Sequence, residues 1–192
     1  MAFKKQLTLI SGGARSGKSS FAQDLASRST LPVVFLATAQ AHDDEMRRRI
    51  AAHRQARPAH WRTVEEPLRV AQVIGQEAAQ HQLIVLDCLA LLVSNLLLRE
   101  GEEPSEAAEA NALAEIEGLL AAYQTGQASL IIVTNEVGLG LVPPYPLGRA
   151  YRDLLGKANQ LIAKVADKVY FMVCGLPLEI KASGLARPFQ ER

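Results

Sequence analysis

Cysteine is nearly absent from this chain: 192 residues include two, Cys88 and Cys174, each alone within an apolar run. No CxxC spacing exists, which argues against a cysteine-built metal site or redox pair and leaves two buried free thiols of a reducing compartment as the expectation. Aromatic residues are sparse at 5%, with one tryptophan, so no basic, aromatic-studded stripe is available to stack nucleic acid. Charge of one sign is missing as well. Lys and Arg number 21 against 20 Asp and Glu, and the net charge of +1 gives no global attraction to nucleic acid or an anionic membrane. Any anion site must be local. Long apolar runs are also lacking, because the longest, 83–98, is interrupted by Asp87, Ser94 and Asn95 and is too short to span a bilayer. The lysines near the start lead only into a short apolar run and a glycine turn, without a leader's full hydrophobic region. A cytoplasmic protein with no membrane span and no nucleic-acid partner is the expectation.

What is present is an alternation of two patterns. Short, continuously apolar runs at 7–10, 33–37, 83–86, 130–134 and 169–173 suit strands buried on both faces of a parallel sheet. Helical patterns at 19–27, 43–55, 67–80, 106–123 and 149–166 separate them. The alternation predicts one α/β domain over 1–192, a mostly parallel twisted sheet flanked by helices. A last segment, 178–181, is placed as an antiparallel edge strand, and the polar tail 182–192 as loose chain.

The first apolar run ends in Ser-Gly-Gly-Ala-Arg-Ser-Gly-Lys-Ser, 11–19. Gly12-x4-Gly17-Lys18-Ser19 is the full phosphate-loop pattern, with the required strand before it and helix after it, which makes the fold a P-loop NTPase of the RecA-like kind. Glycines let successive backbone N–H groups of Gly12, Gly13, Ala14, Arg15, Ser16 and Gly17 turn toward phosphate oxygens, and the helix adds its positive end. Lys18 is assigned to the β- and γ-phosphates and Ser19 to Mg²⁺, with Asp87 at the end of "LIVLD" as the acidic partner for the metal. Arg15 is either a phosphate contact or an exposed loop arginine. Asn135 and Glu136, after "LIIVT", either face the γ-phosphate or hold the next loop by capping its backbone.

Such a loop specifies nucleotide binding and no particular reaction. The segment 37–67 is more distinctive, carrying His42, His53 and His60, a dense set of arginines and Trp61. By spacing alone His53 is a solvated helix residue, a base or a nucleophile. Trp61, in a proline-anchored turn, is expected to pack. Together "GGARSGKS", "ATAQAHDDEM", "RPAHWRT" and "VTNEVGLGLVP" with "YRDLLGKANQ" resemble the bifunctional adenosylcobinamide kinase/adenosylcobinamide-phosphate guanylyltransferase family over about 7–181. The resemblance implies phosphorylation of adenosylcobinamide by ATP or GTP, then transfer of GMP from GTP through a guanylylated histidine, which falls on His53. It also places Thr38, Ala39 and Glu65 at the nucleotide and implies a homo-oligomer, a trimer. The competing readings are a monofunctional P-loop kinase of a small metabolite, which needs no histidine at 53, and an ATPase assembling on nucleic acid, which the charge balance disfavours.

Overall fold

A computed structural model describes residues 4–181 apart from 42, 56, 81, 100 and 102, and apart from the side chain of Arg49. His42 and the tail 182–192 thus lie outside the described residues. The chain runs β1 (Leu7–Gly12), α1 (Lys18–Ser27), β2 (Val33–Ala37), α2 (Asp44–Gln55), β3 (Arg62–Glu65), α3 (Val70–Glu77) and β4 (Leu83–Asp87). It continues through α4 (Leu89–Leu98), α5 (Glu106–Thr125), β5 (Ser129–Val133), α6 (Pro146–Val165), β6 (Lys168–Val173) and β7 (Leu176–Lys181). The sheet order is β3-β2-β4-β5-β1-β6-β7, parallel except for the β6–β7 pair.

Each central strand is buried on both sides, so alternate residues feed two cores. Leu7, Leu9, Val34, Leu36, Ile84, Leu86, Leu130 and Ile132 pack against α3 to α6. Ile10, Phe35, Val85, Ile131 and Val133 point the other way, to a smaller core shared with Ala22 and Ala26 of α1 and with Trp61. Trp61 packs as expected, only 7% exposed. These two layers carry the stability: deleting a leucine side chain such as Leu86 costs about 2–5 kcal/mol. The surface ion pairs Arg28–Asp24 and Arg47–Asp44 each contribute about 0–1 kcal/mol.

The expected strands and the antiparallel edge are all present. Two elements were not expected. β3 is an edge strand whose residues Arg62, Thr63 and Glu65 are exposed, so it has no apolar run. It forms because β2 offers one free ladder edge, in register Val34 to Arg62 through Ala37 to Glu65. α4 is apolar on nearly its whole circumference and packs against α5 and α6, which leaves no period to find in its sequence. α3 is shorter than its pattern, because Pro67 and Leu68 form the turn before it, where the Glu66 carboxylate accepts from the N–H groups of Leu68 and Arg69.

The thiols occupy opposite environments. Cys88 follows β4, and burial pushes its thiol up to about 12, with Asp87 adding to the rise. Cys174, expected to be buried, is instead exposed, because it falls in the turn between β6 and β7 rather than within a buried strand. At pH 8 only about one Cys88 in ten thousand is thiolate. A chromogenic disulfide reagent should therefore titrate one thiol promptly in the native protein and two after denaturation. Cys174→Ser should abolish the prompt reaction; a prompt reaction surviving in that variant would contradict this placement.

Candidate functional site

β1 ends at Gly12, and the chain must then turn sharply without side-chain obstruction. Gly12 has φ 152, and a Cβ there would lie 2.7 Å from the Met172 carbonyl of β6. Gly17, at φ 93, caps α1. Only glycine meets both demands. The loop is gripped on two sides: Glu136 donates its backbone N–H to the Gly12 carbonyl at 3.0 Å, and Gly175 donates to the Ser16 carbonyl at 3.2 Å. Arg15 is exposed with φ 55.

Lys18 is 8% exposed and donates from Nζ to the Gly13 carbonyl at 2.6 Å, so its ammonium is bent back across the loop it serves. Burial pushes it below its ordinary value, opposed by neighbouring Cys88 and Asp87. Asp87 ends β4, two strands from β1, with β5 between. Burial raises its carboxyl above the usual range, and a hydrogen bond from Ser19 and the charges of His53, Arg57 and Lys18 oppose that rise. The sequence-predicted Lys18, Ser19, Asp87 and His53 are thus brought together. His53 itself is exposed, on the last turn of α2.

Beside this cluster lies a cavity of about 550 Å³ lined by Arg54, Arg57, Pro58, Thr63 and Glu65, with Trp61. That volume suits a small ligand. Glu65, at the end of β3, accepts from the Arg54 guanidinium, joining β3 to the helix that carries His53. Thr38 is fully buried, and its hydroxyl accepts from the Cys88 N–H at 2.9 Å and donates to the Cys88 carbonyl at 2.8 Å. Its hydroxyl is therefore engaged within the protein, while half-buried Ala39 follows it at the strand end. Of the two roles left open for Asn135 and Glu136, the contacts are those of loop holding. The Glu136 carboxylate accepts from the Gly138 N–H at 2.7 Å, and the Asn135 carbonyl accepts from Asn159 at 3.1 Å. His60 is exposed.

Arg57 was not anticipated. Its guanidinium lies 3.6 Å from the centroid of the Phe35 ring, while its Nε and Nη1 are buried without a hydrogen-bond partner. A buried cation with idle donors is costly unless something anionic completes it. The "RPxHW" context signalled a turn; only the packed β2 reveals what the arginine sits on. Among the described residues no cluster of three or more His, Cys, Asp or Glu could hold a metal alone. None of the described helices is long and apolar enough to cross a membrane.

The sequence model of a family described as cobinamide kinase / cobinamide phosphate guanyltransferase matches residues 8–180. A Pseudomonas aeruginosa protein called bifunctional adenosylcobalamin biosynthesis protein CobP is 47% identical over 177 residues, 92% of this chain and 98% of that protein. An Escherichia coli K12 protein called bifunctional adenosylcobalamin biosynthesis protein CobU is 42% identical over 181 residues, covering 91% and 99%. In fold, the chain is similar to an ATPase of a bacterial type III secretion system, with TM-score 0.56 and 12% identity over 88% of this chain and 52% of that one. That likeness concerns architecture alone.

Replacing Arg57 with methionine removes the unpartnered donors while keeping the stem on Phe35. The ligand-free variant should melt no lower than the parent, whereas nucleoside triphosphate binding should weaken about tenfold or more, since a hydrogen bond to a charged group contributes roughly 1.5–3 kcal/mol. Thermal melts with and without nucleotide check both. A large loss of stability without ligand would show that Arg57 serves the fold instead.

Proposed function

The chain belongs to the cobinamide kinase / cobinamide phosphate guanyltransferase family, and from that premise we propose how its residues divide the two reactions. In the kinase step the hydroxyl oxygen of adenosylcobinamide attacks the γ-phosphorus of ATP or GTP, and the nucleoside diphosphate leaves. Lys18 and the loop N–H groups of Gly12 to Gly17 hold the β- and γ-phosphates, and little further covalent help is needed. In the second reaction an imidazole nitrogen of His53 attacks the α-phosphorus of GTP and pyrophosphate leaves. A phosphate oxygen of adenosylcobinamide phosphate then attacks the same phosphorus, displacing the imidazole and forming adenosylcobinamide-GDP. Imidazole suits this relay because it both attacks and departs readily near neutral pH.

The observation that carries the reading is the convergence of His53, Arg57, Lys18 and Ser19 on Asp87. An exposed histidine whose charge still acts on the Asp87 carboxyl beside the phosphate loop supports a role for His53 at phosphorus. Arg57, which lines the adjoining cavity, supplies positive charge for phosphate oxygens. The Ser19 hydroxyl and the Asp87 carboxylate are hard oxygen donors hydrogen-bonded to one another, a pair that fits Mg²⁺ shared with substrate phosphates. Mg²⁺ held there neutralises charge on the phosphate oxygens. Glu65, in the same cavity, is our candidate to accept from guanine N1–H and N2–H₂. The exposed apolar residues Leu139, Leu141, Val142 and Tyr145 support self-association, in line with the trimer that the resemblance implies. One domain in the cytoplasm is the setting we assign.

Incubation with GTP labelled at the α-phosphate should give an acid-labile, alkali-stable label on the protein. His53→Ala should carry none. A plain kinase would show no label at all, and equal labelling of the His53→Ala variant would defeat the assignment. In the same assay Glu65→Gln should lose most of its preference for GTP over ATP; an unchanged preference would remove Glu65 from base recognition.

A further inference from the structure

Ser94 and Asn95 interrupt the otherwise apolar α4, and the reactions above use neither. Ser94 borders a shallow apolar groove with Leu97, Leu98 and Tyr145. Asn95 turns the other way, toward the strand ends. Its Nδ2 donates to the Thr38 carbonyl at 2.8 Å and to the Pro67 carbonyl at 3.0 Å. These two carbonyls lie just past the ends of β2 and β3, where the ladder no longer supplies partners. A single side-chain amide satisfies both.

The segments so joined carry the two carboxylates of the site. In the sheet Ala37 is in register with Glu65 on one side and with Asp87 on the other. Beyond Ala37, regular pairing stops. The Glu66 N–H still reaches the Ala37 carbonyl at 3.0 Å, and the Thr38 N–H reaches the Asp87 carbonyl at 3.3 Å. The Thr38 hydroxyl brackets Cys88, accepting from its N–H and donating to its carbonyl. Asn95 ties this bracket to Pro67, two residues after Glu65. We infer that Asn95 is a positioning residue that, through the carbonyls of Thr38 and Pro67, sets the separation of Glu65 from Asp87 and so matches the site to the span between guanine and triphosphate. The inference rests on the guanylyltransferase reading above and goes beyond it, since Asn95 touches neither the substrate nor the reacting atoms.

A merely structural asparagine would lower thermal stability and leave nucleotide selectivity alone, so the readout is selectivity. Asn95→Asp keeps the shape but removes both donors. Asn95→Leu matches the leucines of α4 and keeps the helix apolar. With α-labelled GTP and ATP, each variant should show KM for GTP raised about tenfold, the value for roughly one lost net hydrogen bond of 1–1.5 kcal/mol. The maximal labelling rate should stay within about twofold, and the GTP-over-ATP preference should fall in proportion to the rise in KM. Ser94→Ala should behave as the parent. A folded Asn95 variant with parental KM and preference, whatever its melting temperature, overturns the inference, as does failure of both variants to fold. If the parent chain itself takes no label on His53, the guanylyltransferase reading fails first; label on the parent with indifferent Asn95 variants fails this inference alone.

Discussion

The register of the parallel sheet is the constraint on which the site depends. Ile10 pairs with Val133, Val133 with Asp87, and Asp87 with Ala37, which pairs in turn with Glu65. Parallel strands end on the same side, so this single row delivers the phosphate loop and the carboxylates of Asp87 and Glu65 to one edge. A shift of one residue in any strand would send its core side chains to the opposite face. Because both faces are buried here, such a slip would exchange the partners of two cores at once. Packing thus fixes the register of the strands, and polar contacts such as those of Asn95 act only just past the strand ends.

Onto that rigid edge the chain places charge that is poorly satisfied without a ligand. Lys18 turns back on the Gly13 carbonyl, the Asp87 carboxyl is raised by burial, and Arg57 rests on Phe35 with idle donors. Each arrangement is weak by the standards of a folded interior, where polar groups are normally paired. On the proposed reading a bound triphosphate would relieve two of them, its oxygens replacing the loop carbonyl for Lys18 and giving Arg57 an anion. The site is therefore organised by the fold yet electrostatically incomplete.

Legibility from sequence followed the same division. β1, β2, β4 and β5 were readable because strands buried on both faces must be continuously apolar, and the phosphate loop because Gly12 and Gly17 occupy backbone conformations that demand glycine. His53, Glu65 and Thr38 were reached through family resemblance, since spacing alone left His53 among solvated helix residues. β3 escaped because an exposed edge strand has no apolar run, and α4 because a helix apolar on nearly every side has no polar face to reveal its period. Arg57 and Asn95 were illegible for a different reason. Their partners, Phe35 for one and Thr38 and Pro67 for the other, stand 22, 57 and 28 positions away and meet them only in the folded chain.

The elements of the site also differ in how firmly they are held, and this bears on how one loop serves two phosphorus atoms. Strand ends at Asp87 and Thr38 are locked by the sheet and by cores in which each large side chain is worth several kcal/mol. α2, which carries His53, has no fully buried residue among those whose side chains are described. Its tie to β3 is the Arg54–Glu65 pair, half-exposed on both sides, and such pairs contribute about 0–1 kcal/mol. Moving α2 is thus cheap, while moving the loop or Asp87 is not. The triphosphate is best regarded as the fixed body, its γ-phosphate presented for the kinase step in one place. In the proposed reaction His53 would be the part that comes to the α-phosphate, on a helix whose weak tether also holds Glu65. A Glu65 that accepted from guanine, as proposed, would share its Arg54 contact, and the base and the position of His53 would then be coupled through one exposed ion pair.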